Sequence, residues 1–502
     1  MDLAISAVAD PDEVAAAVRS RVRGTVWEEV VWGADLRDEA ESPDRRDSAF
    51  VSAGAVSWDQ VHPLIGQLTA GLPGSVTAEG DAEVRRLRER LERLDEDPAP
   101  TRATEAVAAE RIAIHLNLTA LDRKEFRASL KRAWTGPLVA PDANRELFGR
   151  LGALLIPPVL REYLASFDPD DPPTTTVTVA PGPDLGLIPW ELLRVREDDT
   201  RMMELALVRG GLSPASMVNL ARPAAPDIPD GPALRIIDPT GGGRIRDAAP
   251  IYPHGLPHIW ATRQRAVDAG LPAASEEAPD EAGPAPLPRA PRSWTREEYG
   301  EVLRTRELAR VLFLGHVDSG DTLSPTTSAL RFDDSHRGES VRPLRTEDGR
   351  LLEEPAQVHA LSARVWLHAP DRWPMPRRVA IIACQADDSR YVEQAGLTLA
   401  AVNAGARVVT TTRWTCPTDQ SVSVVGDAVT PGEGATTALA LAVDEAHSRV
   451  DVVSALRAWQ CRQLTAWRAS RTPEERRRNA PLVWATPVTY VLPDSVQVTA
   501  GE

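Results

Sequence analysis

Three short runs in the second half of the chain, VLFL at 311–314, VAII at 379–382 and VVTTT at 408–412, are apolar or β-branched without interruption. A strand with one face in water alternates polar and apolar residues, so an unbroken run requires burial on both faces. Segments with helical spacing separate such runs: REEYGEVLRT (296–305) stands before the first and GLTLAAVN (396–403) before the third. Helices alternating with short apolar strands specify an α/β fold, a mostly parallel sheet covered on both sides. LRIIDPTGGG (234–243) supplies a further buried strand stopped by proline and glycine, and TTTVTVAPGPDLGLIPWELLRV (174–195) reads as a strand, a tight turn and a second apolar segment.

Ahead of this region, EVAAAVRSRV (13–22), DAEVRRLRERLERLDED (81–97) and RIAIHLNLTALDRKEFRASLKRAW (111–134) space their apolar residues as helices do. They predict a mainly helical N-terminal domain over 1–142, followed by the α/β domain over 143–502. Pro157 and Pro158 should break the helix that 145–164 otherwise spells. The Pro-, Ala- and Glu-rich stretch 270–291 reads as a mobile surface loop. A net charge of −16 argues against nucleic acid or an anionic membrane as partner. Three cysteines, Cys384, Cys416 and Cys461, argue against a disulfide framework and give no metal-ligand spacing, and no cofactor is expected. No stretch approaches the roughly 18 apolar residues of a membrane span, and the first residues lack a signal-peptide pattern. The expected location is a reducing cytoplasm, where a free thiol persists.

In parallel sheets, functional groups collect beyond the carboxyl ends of the strands. VLFLGH ends in His316 and VAIIAC in Cys384. Neighbouring strands lie about 4.8 Å apart, so the ends of adjacent strands bring two such side chains within reach of one substrate. An imidazole raises the reactive thiolate fraction or takes the thiol proton during attack, and it can protonate an amine leaving group. A cysteine in an apolar strand is more often a packing residue, and residue type alone leaves that alternative open. His254 and His258 have i, i+4 spacing, but Pro253 and Pro257 argue against a helix there.

Six segments together resemble the CHAT domain, a branch of the caspase-like cysteine peptidases related to separase. DLGLIPWELL (184–193), LSPAS (212–216), FLGH (313–316), IIAC (381–384), GLTLAAVNAGARVVTTTRW (396–414) with Asp419 after it, and APLVWATPVTYV (480–491) stand in the family's order. The resemblance implies a caspase-like three-layer sandwich with a mostly parallel central sheet. It implies His316 as general base and acid, Cys384 as nucleophile, and the backbone N–H groups of Val317 and Cys384 as donors to the oxyanion. Trp190, Trp414 and Trp484 match family positions. Two departures stand out: Val317 follows the histidine where the family has a small residue, and Gln385, Ala386, Asp387 and Asp388 follow the cysteine. An acidic pair beside a thiol raises its pKa.

The function this resemblance implies is cleavage of a specific protein partner, in a bacterial defence or programmed-death system under control of an activating or sensor protein. The helical front would then be regulatory. The alternative is an inert CHAT pseudoenzyme acting as an interaction module. For specificity, Asp238 at the end of IIDP, Asp387, Asp388 and Trp414 are expected to line the substrate pocket, a carboxylate there favouring a basic residue before the scissile bond. Asp238 reads equally as the residue that opens the turn at Pro239.

Overall fold

The computed structural model describes residues 2–6, 29–37, 49–73, 83, 86–87, 90, 124–171, 175–181, 185–212, 220, 222–228, 231–239, 251, 260, 292–318, 325–333, 343–345, 351, 360–383, 386, 396–419 and 434–492. Its centre is a sheet in which β4 (Thr176–Ala180), β5 (Leu207–Gly210), β13 (Pro487–Val491), β12 (Val408–Thr412), β11 (Arg378–Ile382), β7 (Arg310–Leu314) and β6 (Ala233–Ile237) lie side by side. Of the neighbouring pairs among these seven, only β12 and β13 run antiparallel. β6, β7, β11 and β12 therefore all deliver their carboxyl ends to one edge.

The unbroken apolar runs are explained by two cores, one on each face. From β7, Leu312 and Leu314 enter the first core while Val311 and Phe313 enter the second. From β11, Ala380 and Ile382 enter the first and Val379 and Ile381 the second. Successive strand side chains point to opposite faces, so both sets must be apolar. The first core is closed by α1 (Trp58–Ala70), α2 (Pro141–Leu155), α3 (Pro158–Ala165), α7 (Ala435–His447), α8 (Val452–Ala469) and α9 (Pro481–Trp484). The second is closed by α4 (Arg296–Thr305), α5 (Ala363–His368) and α6 (Leu397–Asn403). This is the three-layer sandwich that the resemblance implied.

Local chemistry sets the element ends. The helix spelled by 145–164 divides at its two prolines, α2 ending at Leu155 and α3 opening with Pro158 as its first residue. Thr295 caps α4 in a box with Glu298. Between α6 and β12 the chain reverses at Gly405, whose φ of +119° suits glycine alone. A small antiparallel sheet, β8 (Val317–Asp318), β9 (Ala329–Arg331) and β10 (Ala360–Ser362), follows β7.

At the front of the chain, strands stand beside helices. β1 (Asp2–Ser6), β2 (Glu29–Arg37) and β3 (Ala49–Ser57) are strands, and β1 extends the sheet by pairing in parallel with β4. Helix is present in α1, over 124–133, and at the described positions 83, 86, 87 and 90 of the segment expected to be helical over 81–97. α1 and the turn after 133 also share the first core with α2: Leu64, Leu68, Trp134 and Leu138 all belong to it. The Trp467 indole donates to the Val139 carbonyl. Among the described residues before 143, those of 58–72 and 130–139 thus join the core of the sandwich. EVAAAVRSRV and the stretch 270–291 lie outside the described residues.

Candidate active site

Three adjacent strands end at one level. In register, Ile237 of β6 faces Leu314 of β7, and Leu314 faces Ile382 of β11. The Asp238 N–H donates to the Leu314 carbonyl (2.7 Å) and the Gly315 N–H to the Ile382 carbonyl (3.3 Å), which carries the pairing past the strand ends. His316 and Cys384 each stand two residues beyond a mutually paired position, Leu314 and Ile382. His316 is half-buried. Cys384, Gln385, Asp387 and Asp388 lie outside the described residues; Ala383, before the cysteine, is buried.

Gly315 is required by a close approach: a Cβ there would sit 2.6 Å from the Phe313 ring and 3.1 Å from Pro239 Cδ. The turn after β6 thereby presses on the peptide that carries His316. Beyond it, the chain enters β8. The Arg331 N–H donates to the His316 carbonyl (2.9 Å) while Val317 faces Leu330. In an antiparallel ladder that bond flanks a pair whose own amides point outward. β8 is the edge strand of its sheet, so the Val317 N–H points away from β9, off the outer edge. The Val317 side chain is 8% exposed and sits in the second core. The β-branched departure from the family pattern is thus accommodated by packing, with the amide directed outward.

On the other flank, main-chain pairing of β11 with β12 stops after Ala380 and Thr410. Thr412, fully buried, continues it by its side chain: the Ala383 N–H donates to Thr412 Oγ1 (3.3 Å), and the Thr412 hydroxyl donates to the Ala383 carbonyl. Three consecutive buried threonines, Thr410, Thr411 and Thr412, were the sequence signal for this contact, because buried hydroxyls need partners. After β12, Asp419 accepts from the N–H groups of Thr436 (2.9 Å) and Thr437 (3.2 Å) and from the Thr437 hydroxyl (2.5 Å). The family-matching aspartate is a cap on α7.

Two expected pocket residues are placed differently. Trp414 is 1% exposed, packs in the first core and donates its indole N–H to the Leu482 carbonyl (3.0 Å). It is a core residue, not a pocket wall. Asp238 is fully buried with φ of +46°, a left-handed residue that opens the turn into Pro239. Its buried carboxylate does not stand on an open rim. The other two cysteines are poor nucleophiles. Cys416 is buried, and burial pushes the Cys461 thiol up.

A buried ion pair escaped the sequence reading. Glu191 of the LIPWELL segment and Arg413, just past β12, meet in a bidentate bridge of 2.7 and 3.0 Å, each about 6% exposed. Arg413 also donates to the Ala485 and Pro487 carbonyls (3.2 Å each). Burial pushes the Glu191 carboxyl up, and the Arg413 guanidinium pulls it back. Opposite charges inside two apolar segments were the available signal. Among the described residues, no His, Cys, Asp or Glu cluster is arranged to hold a metal. No helix among them is long and apolar enough to cross a membrane.

The fold is an α/β sandwich with a histidine just beyond the carboxyl end of one core strand. A family model of the CHAT domain matches residues 145–490, well over half of the sequence, and the chain belongs to that family. Membership makes it a caspase-like protease or a related module. No curated protein matches it in sequence. Two crystal structures of the Saccharomyces cerevisiae separase–securin complex are similar at 10% identity, with TM-scores of 0.39 and 0.36. In both, 98% of this chain is covered, and it spans 30% of the length of the chain it matches.

Proposed function

We propose that the protein is a cysteine endopeptidase that cleaves a specific protein partner, with Cys384 as nucleophile and His316 as its base and acid. The observation that carries this reading is the common register of β7 and β11, from which both residues follow after the same number of steps. The thiolate attacks the scissile carbonyl, and His316 takes the thiol proton and returns it to the leaving amine. The backbone N–H groups of Val317 and Cys384 are the proposed oxyanion donors. The outward direction of the Val317 amide and the burial of its side chain favour this reading over an inert module. The setting we infer is cytoplasmic, in a bacterial defence or programmed-death response gated by an activating or sensor protein. Residues 1–142 are the proposed docking region for that protein.

The test is a proteome-wide search for new N-termini after expression of wild type or Cys384→Ala in a bacterial host, with neighbouring genes co-expressed as candidate activators. A small set of cleavages made by wild type alone is expected. The same set with Cys384→Ala would overturn the assignment.

A further inference from the structure

The small sheet after β7 sorts its side chains into two rows. Val317, Leu330 and Leu361 lie opposite one another on β8, β9 and β10, and all three belong to the second core. Strand side chains alternate between faces, so the neighbouring row looks away from that core. That row holds Arg331 and, opposite it on β10, Ala360. On the β8 side the Arg331 N–H donates to the His316 carbonyl (2.9 Å), which carries the β8–β9 register one residue back and sets Arg331 opposite His316. Side chains of an opposed antiparallel pair leave the same face with their Cβ atoms about 5 Å apart. His316 and Arg331 are both half-buried, so each keeps part of its surface open to a bound chain.

An imidazole that moves protons at a scissile bond has the substrate chain against it. The substrate side chains flanking that bond therefore come within reach of the residue across the strand pair. A guanidinium stays charged at every working pH and presents a planar fork of N–H donors that matches a carboxylate. Partial burial strengthens its attraction for an opposite charge over what water would allow. We propose that Arg331 determines specificity: its guanidinium binds an aspartate or glutamate of the substrate within two residues of the scissile bond. This deepens the peptidase reading, on which it rests through His316. It also replaces the basic preference expected from Asp238, which the fold buries at a turn, with an acidic one.

The test starts from the cleavages that the wild-type chain makes in the bacterial proteome. Their sites should carry Asp or Glu at one fixed position within two residues of the cut. Two synthetic peptides spanning the best site are then compared by kcat/KM, one native and one with that acidic residue replaced by lysine. The enzymes are the full wild-type chain and Arg331→Glu, each with the activator that the proteome cleavage required. A charge-assisted hydrogen bond separates two substrates by about ten- to a hundredfold, so wild type should favour the native peptide by at least about tenfold. Arg331→Glu should reverse the order. A residue that only supports the fold would slow both peptides alike, and that result would overturn the inference. So would a wild-type preference for a basic or apolar residue, or an acidic preference that Arg331→Glu leaves intact. If Arg331→Glu fails to fold, the neutral Arg331→Gln takes its place and should bring the two peptides to within about threefold of each other. Absence of any wild-type cleavage would instead overturn the peptidase reading beneath the inference.

Discussion

The Glu191–Arg413 bridge offers a sharp test of how the family's early LIPWELL segment is tied to the sheet. Arg413→Met removes a guanidinium that makes four hydrogen bonds, two to Glu191 and one each to the carbonyls of Ala485 and Pro487. What remains is a carboxylate about 6% exposed with its counter-charge gone. Breaking a buried pair from one side costs about 3–5 kcal/mol, largely through the charge left behind. Glu191→Leu strands the guanidinium in the same way, although the two carbonyls still receive it. In Glu191→Leu/Arg413→Met neither charge is orphaned, and only the carbonyls lose a donor. The double variant should therefore cost less than the sum of the singles by about 2–3 kcal/mol, a coupling at the upper end of what contacting residues show. Urea unfolding followed by far-ultraviolet circular dichroism reads the stability of each variant. Single effects that add to within about 0.5 kcal/mol would refute the picture of a desolvated, interdependent pair.

Two further outcomes follow from buried positions. His447 on α7 faces Thr410, Arg310, Arg378 and Asp444, and burial holds its pKa down at about 3. It is neutral in the folded protein, whereas the unfolded chain protonates it below about 6.5. Its contribution is complete above pH 6.5 and is lost as pH falls toward 3, at about 1.4 kcal/mol per pH unit. His447→Gln should flatten that limb of the stability profile; an unchanged slope would remove His447 as its source. Gly152 in α2 leaves room for the main chain of Arg194, since a Cβ there would lie 2.4 Å from the Arg194 carbonyl oxygen. Gly152→Ala should lower the thermal midpoint by about 1–3 kcal/mol of stability despite alanine's better helix propensity, and a raised midpoint would show that the segment yields.

The sandwich was legible where one physical requirement dominated. Burial on both faces forces unbroken apolar runs, so VLFL and VAII announced core strands, and Pro157 and Pro158 could only divide a helix. The strand-end histidine was readable for the same reason, because where an apolar run stops is where the chain leaves the sheet. At the front of the chain the strands EVVWGADLR and AFVSAGAVS were not read, because strand formation there depends on pairing with partners that periodicity does not record. Asp238 was open between a pocket residue and a turn residue until its left-handed backbone and full burial settled on the turn. Trp414 matched a family position equally well as wall or core. Thr412 and Arg413 take their meaning from contacts with Ala383 and Glu191, 29 and 222 residues away in sequence, so the local pattern could flag a buried polar group there but not name its partner.

The central claim is that Cys384 is a nucleophile activated by His316. The most direct measurement is the rate of iodoacetamide labelling at each of the three cysteines, by peptide mass mapping, in the wild type and in His316→Ala across pH 5–9. Cys416 is buried and the Cys461 thiol is pushed up by burial, so both should label slowly in the folded protein. Cys384 should label fastest near neutral pH, and His316→Ala should shift its profile toward that of an ordinary thiol, near pKa 8.5. Labelling of Cys384 that is no faster than that of the other two, or is unchanged by His316→Ala, would contradict the dyad.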